Sequence, residues 1–349
     1  MRAACTNLPV VLRPYEGELL YSWHARITAL YRIPPGELFK FSASLWDLCV
    51  APSTTVLPLL AEMTRLSSDA VQQLTISASG IAQAWWNIRQ LTPDPLSPNM
   101  EYSYQPAVKF CRICLWHDSV SQGTEFLRTE WMLCVPTLCP IHAVPMEDHC
   151  ELCGSFHFPT FVKTSRGFRL ICADCSRPLA APGFPCMSSV APELRILQAF
   201  ELALSRALNQ RWSFQFPGAA AGPQFFLRTV EDLLWLLLIR PGEHFEYLFV
   251  HWLNRTLIPM PYRLYRYPRA RPWLGDFSIK IRRGLVAHLA ALVGGTTVRQ
   301  QLSPHFLNRY SLGQALTALR PADAKEFRRR LASWPQMLKT LVFEPQSTH

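Results

Sequence analysis

Four pairs of metal-ligand residues, each with two residues between its members, stand between positions 111 and 175: Cys111/Cys114, Cys139/His142, Cys150/Cys153 and Cys172/Cys175. No other feature of the sequence restricts the fold as strongly. A two-residue gap lets both side chains of a tight turn face one ion, as in structural zinc sites, and each such site takes four ligands, hence two pairs. Sequential pairing gives Cys111, Cys114, Cys139 and His142 one site, with 24 residues between its pairs. It gives Cys150, Cys153, Cys172 and Cys175 a second, with 18 between. Loops of these lengths hold the short hairpins of a zinc ribbon. A nested alternative joins Cys139, His142, Cys150 and Cys153 on one ion and leaves Cys111/Cys114 to meet Cys172/Cys175. Spacing does not exclude it. The sequential arrangement needs less loop closure and is the one expected.

Both sites have all four positions filled by protein, so two structural Zn2+ ions per chain are expected; a catalytic zinc keeps a position open. Disulfides are the other use of so many cysteines. They suit secreted chains, and the opening MRAACTNLPV has no apolar segment of signal-peptide length. Cys5, Cys49, Cys134 and Cys186 remain; they are expected to be small buried hydrophobes. His117 and His149 are expected beside the ligands or at the surface.

Composition narrows the class. Of 349 residues 49% are hydrophobic and 17% charged, a globular balance. The longest apolar run, Leu233–Ile239, falls far short of the ~20 residues of a membrane span. A soluble cytoplasmic protein without a membrane partner is therefore expected. The net charge of +10 is unevenly placed. Residues 263–349 hold 15 basic and 4 acidic residues, against 20 and 21 in residues 1–262. Such asymmetry points to a polyanionic partner.

The rest of the chain reads as helical. Leu20, Trp23, Ile27 and Leu30 fall at helical spacing over 16–31, with Glu16 and Glu18 early and Arg32 late, complementing the dipole; Pro34-Pro35 ends the helix. Residues 56–75 read as helix, turn, helix, with Ser67 or Ser68 as the second N-cap. Those are the dimensions of a helix-turn-helix, or of an ordinary helical hairpin; DAVQQLT has no Arg or Lys to meet phosphates. The Pro-rich 92–106 is the linker candidate. Helices are expected again at 193–208, 230–239, 244–254 and 284–293.

Within 261–283, Arg263, Arg266, Arg269, Arg271, Lys280, Arg282 and Arg283 alternate with Tyr262, Tyr265, Tyr267 and Trp273. Arginine forks bind phosphate and aromatic rings stack on bases, so these seven are the candidate nucleic-acid ligands. A solvated loop whose rings pack on helices is the alternative. Arg328–Arg330 extend the same face or form a solvated helix surface.

The fold expected from this is mainly α with small β zinc ribbons. It comprises an N-terminal helix-turn-helix-like region (1–105), a tandem zinc module (106–185) and a C-terminal helical basic region (186–349).

The runs FCRICLWHD, TEWMLCVPTLCPIHAVPM and DHCELCG resemble the TniQ/TnsD family of transposon target-selection proteins. That family shows a CxxC, a Trp-containing stretch running into CPxH, and then CxxCG. The N-terminal run LPVVLRPYEGELLYSWHARITALYRIPPGELF is also similar to it, with Glu18, Leu19, Ser22, Trp23 and Arg26 in place. The likeness covers about residues 8–180. It implies a non-catalytic adaptor that recognises a target and recruits an AAA+ regulator and its transposase. Such a protein reads attachment-site DNA itself or docks, as a dimer, on a CRISPR Cascade complex carrying guide RNA. A zinc-containing transcription regulator is the alternative. A nuclease is not expected, since the sequence has no carboxylate cluster at metal-binding spacing, no P-loop and no nucleophile motif.

Overall fold

The computed structural model describes residues 8–33, 44–90, 104–181, 192–209, 221–238, 274, 279–294 and 321–343. Backbone packing divides the chain into two units. The first comprises 1–134 and 145–186 with 274–276; the second comprises 135–144, 187–273 and 277–349. The expected helix at 244–254 and the basic residues Arg263, Arg266, Arg269 and Arg271 lie outside the described residues, as do Cys5 and Cys186.

The first unit is built on α1 (Leu20–Tyr31), which buries Leu20, Trp23 and Ile27. The helix starts four residues later than its periodicity suggests, and the reason lies in Glu18. Rather than complementing the dipole from the first turn, Glu18 precedes the helix and is fully buried against Arg26, two turns on. The guanidinium Nε donates to Glu18 Oε1 at 2.8 Å and a second nitrogen donates to Oε2. Ser22 Oγ donates to the same carboxylate at 2.7 Å and accepts from the Leu127 amide at 3.0 Å. The Tyr15 amide also donates to it, at 3.0 Å. Arg26 is sandwiched further, 4.6 Å above the Tyr15 ring, which itself stacks on Phe126. A buried ion pair survives only when its remaining lone pairs and protons are met, and here they are. Ladder bonds Leu19 N to Leu127 O and Thr129 N to Gly17 O tie the same corner together.

After α2 (Leu45–Cys49), the residues expected as helix, turn, helix form α3 (Val56–Thr64) and α4 (Ser68–Gln72). Ser67 is the N-cap of α4, its hydroxyl accepting from Ala70 N, and Arg65 ends α3 in the left-handed region. With five residues, α4 is short. The expected linker 92–106 lies outside the described residues except for its end, where β2 (Tyr104–Pro106) pairs antiparallel with β1 (Ile88–Gln90). Next come α5 (Arg112–Ser121) and an antiparallel hairpin of β3 (Thr160–Thr164) and β4 (Gly167–Ile171). Gly167 needs to be glycine, since a Cβ there would sit 2.0 Å from the Gly123 carbonyl oxygen. That close approach lets Glu125 lie along β4. It accepts from Leu170 N at 2.7 Å and from Arg169 at 3.1 Å, and its own N–H donates to Phe168 O.

Apart from the turn-forming 135–144, the described parts of the second unit are mainly helical: α6 (Pro192–Leu208), α7 (Pro223–Leu238), α8 (Ile279–Val293), α9 (Pro321–Ala332) and α10 (Gln336–Phe343). Asp232 on α7 accepts from Arg330 on α9 and from Trp334 Nε1 in the following turn, both at 2.9 Å. Helix α8 begins five residues before the expected 284, so Lys280, Arg282 and Arg283 are helical rather than part of a loop. Among the described residues, no helix is long and apolar enough to cross a membrane.

Removing one partner of the Glu18–Arg26 pair strands the other charge in the core, which costs about 3–5 kcal/mol. Glu18→Leu and Arg26→Met should each lower the unfolding free energy from urea titration by that order. The double variant should recover part of the loss; costs that simply add would show that the pair is not coupled.

Two buried groups oppose one another in pH. Burial raises the Glu125 carboxyl to about 7, although the Leu170 amide and Arg169 pull it down. Burial lowers His24 to about 4. Between roughly pH 4.5 and 6.5 the unfolded chain has lost the Glu125 proton that the fold keeps, so this residue makes stability fall as pH rises. Over the same window the unfolded chain takes up a proton on His24 that the fold refuses, so stability falls as pH drops. Relative to the parent chain, Glu125→Gln should steepen the rise of Tm with pH across this window, and His24→Leu should flatten it. Parallel profiles would refute both assignments.

Candidate metal centres

Three of the four ligand pairs share one backbone design. In each, the first ligand's N–H donates to the carbonyl five residues on, and the residue four on donates back to the first ligand's carbonyl. The bonds are Cys139 N to Val144 O and Ala143 N to Cys139 O; Cys150 N to Ser155 O and Gly154 N to Cys150 O; Cys172 N to Arg177 O and Ser176 N to Cys172 O. The fourth residue after each first ligand sits in the left-handed region: Ala143 at φ 54°, Gly154 at 72° and Ser176 at 58°. Only glycine adopts this without cost. The turn is therefore held by its ends and folds both ligand side chains to one side. The remaining pair is built differently. Cys111 is the N-cap of α5 and Cys114 lies in its first turn, where the helix dipole favours a thiolate.

The pairs meet sequentially. The ligand atoms of Cys111, Cys114, Cys139 and His142 lie within 4.8 Å of one another, and so do those of Cys150, Cys153, Cys172 and Cys175. The nested alternative is ruled out. Four thiolates around an ion at ~2.3 Å stand about 3.8 Å apart in a tetrahedron. Here Cys150 Sγ is 3.6 Å from Cys175 Sγ, and Cys153 Sγ is 3.6 Å from Cys172 Sγ. Cys139 Sγ is 3.5 Å from His142 Nδ1. Both sets could hold a metal ion, and their sulfur and imidazole donors suit a soft or borderline cation.

The surroundings of the two sets differ. In the first, Cys111, Cys114 and Cys139 are 0%, 3% and 1% exposed. The segment entering the Cys139 turn is gripped by α6. The fully buried Glu201 accepts from Thr137 N at 2.7 Å, Thr137 Oγ1 at 2.6 Å and Leu138 N at 2.9 Å. Burial raises this carboxyl, while the three donors and Arg283 hold it back. Gln198, one turn before, donates to Pro140 O at 3.0 Å. In the second set Cys150 and Cys172 are buried, but Cys153 is exposed and Cys175 half-buried. Beside it, Asp174 accepts from His157 at 2.9 Å, and Arg112 pairs with Glu151.

The other cysteines behave as expected where they are described. Cys49 and Cys134 are buried, and burial pushes the Cys49 thiol well up. His117 and His149 belong to neither set. Of the candidate phosphate ligands, Arg282 is fully buried on α8 and Arg283 donates to Thr137 O at 3.5 Å. Sequence reasoning missed Glu125 and Glu201, which carry no motif. It also missed the left-handed positions, for which the glycine of CxxCG was the only signal.

The TniQ family model matches residues 9–146. This segment is a TniQ domain. It takes in the Glu18–Arg26 corner and the whole first ligand set, and it stops just before Cys150. A TniQ domain goes with a role in transposon target selection, generally as a non-catalytic adaptor. A search of curated proteins finds no match to the chain.

Replacing Glu201 with Ala removes the acceptor of three buried donors, each costing about 1–3 kcal/mol when left unmet. Glu201→Ala should therefore lower the unfolding midpoint. In a chelator titration it should also weaken metal retention at the first set, since Thr137 and Leu138 lead directly into Cys139, and leave the second unchanged. Unaltered retention at both sets would show that this grip has no bearing on the site.

Proposed function

We propose that the chain is a non-catalytic transposition targeting adaptor, linking recognition of a target site to recruitment of an AAA+ regulator and its transposase. The match of residues 9–146 to the TniQ family supports this reading. Zinc fills both ligand sets in the proposal, because four protein donors close each of them against a substrate. On this reading the hairpin β3–β4 with Cys150, Cys153, Cys172 and Cys175 is a zinc ribbon, and α3 with α4 is a helix-turn-helix-like unit. The regions 1–105, 106–185 and 186–349 then divide the work of docking, scaffolding and nucleic-acid contact. The target is read as DNA or through a guide-RNA Cascade complex, by a homodimer in the cytoplasm. The basic residues Arg263, Arg266, Arg269, Arg271 and Lys280 supply phosphate contacts.

The test begins with the full chain purified without added metal. Elemental analysis should give two zinc ions per chain, and Cys111→Ser and Cys172→Ser should each lose one. The immobilised chain should then retain its cognate AAA+ regulator in the presence of target DNA or of the guide-RNA complex. A chain holding both ions that retains no regulator under either condition overturns the adaptor reading. If it still binds one duplex sequence tightly on its own, it is a DNA-binding regulator instead.

A further inference from the structure

The two ligand sets differ in what can reach them. The thiols Cys111, Cys114 and Cys139 are almost sealed from solvent, whereas Cys153 is exposed and stands in a turn whose neighbour Leu152 is 73% exposed. A metal-bound cysteine is a thiolate, and the thiolate is the form that reacts with oxidants. Cys153 also has a resolving partner in place, since its Sγ lies 3.6 Å from Cys172 Sγ. A second such pair, Cys150 and Cys175, stands at the same separation.

We propose that the Cys150–Cys175 set is a hydroperoxide-sensitive modification site entered at Cys153, and that the Cys111–His142 set is not. The Cys153 thiolate attacks the nearer oxygen of a hydroperoxide. The O–O bond breaks, the sulfur becomes a sulfenic acid, and hydroxide (or alkoxide) leaves with the bonding pair. The Cys172 thiolate then attacks the sulfenic sulfur and forms the Cys153–Cys172 disulfide, expelling a second hydroxide. In sum, two thiolates lose two electrons to the peroxide. Two of four donors are then spent, and the ion they held is released. The turn carrying Cys153 loses its anchor. Residues 9–146, which end before Cys150, keep their own set.

The inference rests on the zinc reading above, and the zinc content measured before oxidation tests that reading separately. The zinc-loaded full chain is treated with increasing hydrogen peroxide. Release is followed with a chromogenic chelator, and disulfides are mapped by mass spectrometry. One ion of the two should leave first, with a disulfide among Cys150, Cys153, Cys172 and Cys175 and none at Cys111, Cys114 or Cys139. Cys153→His, which gives this set the three-cysteine, one-histidine composition of the other, should keep two ions and resist peroxide release. If that variant starts with one ion, the disulfide map of the parent chain decides alone. Release of both ions in step, first oxidation at Cys111, Cys114 or Cys139, or no release at peroxide levels that oxidise free cysteine overturns the proposal. If the starting chain holds no zinc, the zinc reading fails, and the order in which peroxide oxidises the thiols still tests the assignment of Cys153.

Discussion

The buried pair of Glu18 and Arg26 is the constraint around which the first unit is arranged. Two opposite charges out of water are tolerated only if every remaining donor and acceptor is met, and meeting them draws in distant parts of the chain. Ser22 links the carboxylate to the Leu127 amide, Tyr15 closes the near side, and Phe126 stacks behind Tyr15. Arg128, one residue beyond Leu127, takes the Asp118 carboxylate with two nitrogens at 2.8 and 3.0 Å and lies over the Trp131 ring. One ion pair thus fixes α1 against 124–131, and through Asp118 it fixes α5, whose N-cap and first turn carry two of the ligands.

The same device recurs where the ligand turns begin. Glu201 accepts from the amides one and two residues before Cys139, and Glu125 accepts from the amide two residues before Cys172. In each case a buried carboxylate from elsewhere in the chain holds the backbone that leads into a ligand. Charge-assisted bonds to backbone N–H groups are stronger than neutral ones, and both carboxylates are raised by burial. Their hold is therefore a balance between desolvation and hydrogen bonding.

The ligand chemistry was legible in the sequence because a two-residue gap between cysteines has few other uses, and loop closure favoured the sequential partners that the structure shows. Helices α1, α3, α4 and α6 were legible from apolar spacing and capping serines. What spacing could not reveal was anything set by tertiary contact. Glu18 read as a helix-dipole residue because its partner is a buried arginine that only folding identifies. Arg282 read as a candidate phosphate ligand because charge patterning ignores burial, yet it is wholly inside. Glu125 and Glu201 look like any surface glutamate. Ala143 and Ser176 carry no hint of a left-handed backbone, whereas Gly154 does.

The four ligand turns are not held equally by the rest of the chain. The Cys111 turn is the start of α5, whose backbone hydrogen bonds run on from it. The Cys139 turn is gripped by Glu201 and Gln198, and the Cys172 turn continues a strand that Glu125 secures. The Cys150 turn has a bridge between Phe110 and Glu147 at its entry. Beyond that it reaches solvent with Leu152 exposed, Phe156 against the His149 ring, and the exposed Glu151 paired with Arg112. Surface ion pairs contribute at most about 1 kcal/mol. Within the second set the Cys150–Cys153 turn is accordingly the less tightly held by the rest of the chain, and it is the same turn that offers its thiol to solvent. An ion bound there would have the most to add to this turn, because Glu125 secures only the strand that leads into Cys172.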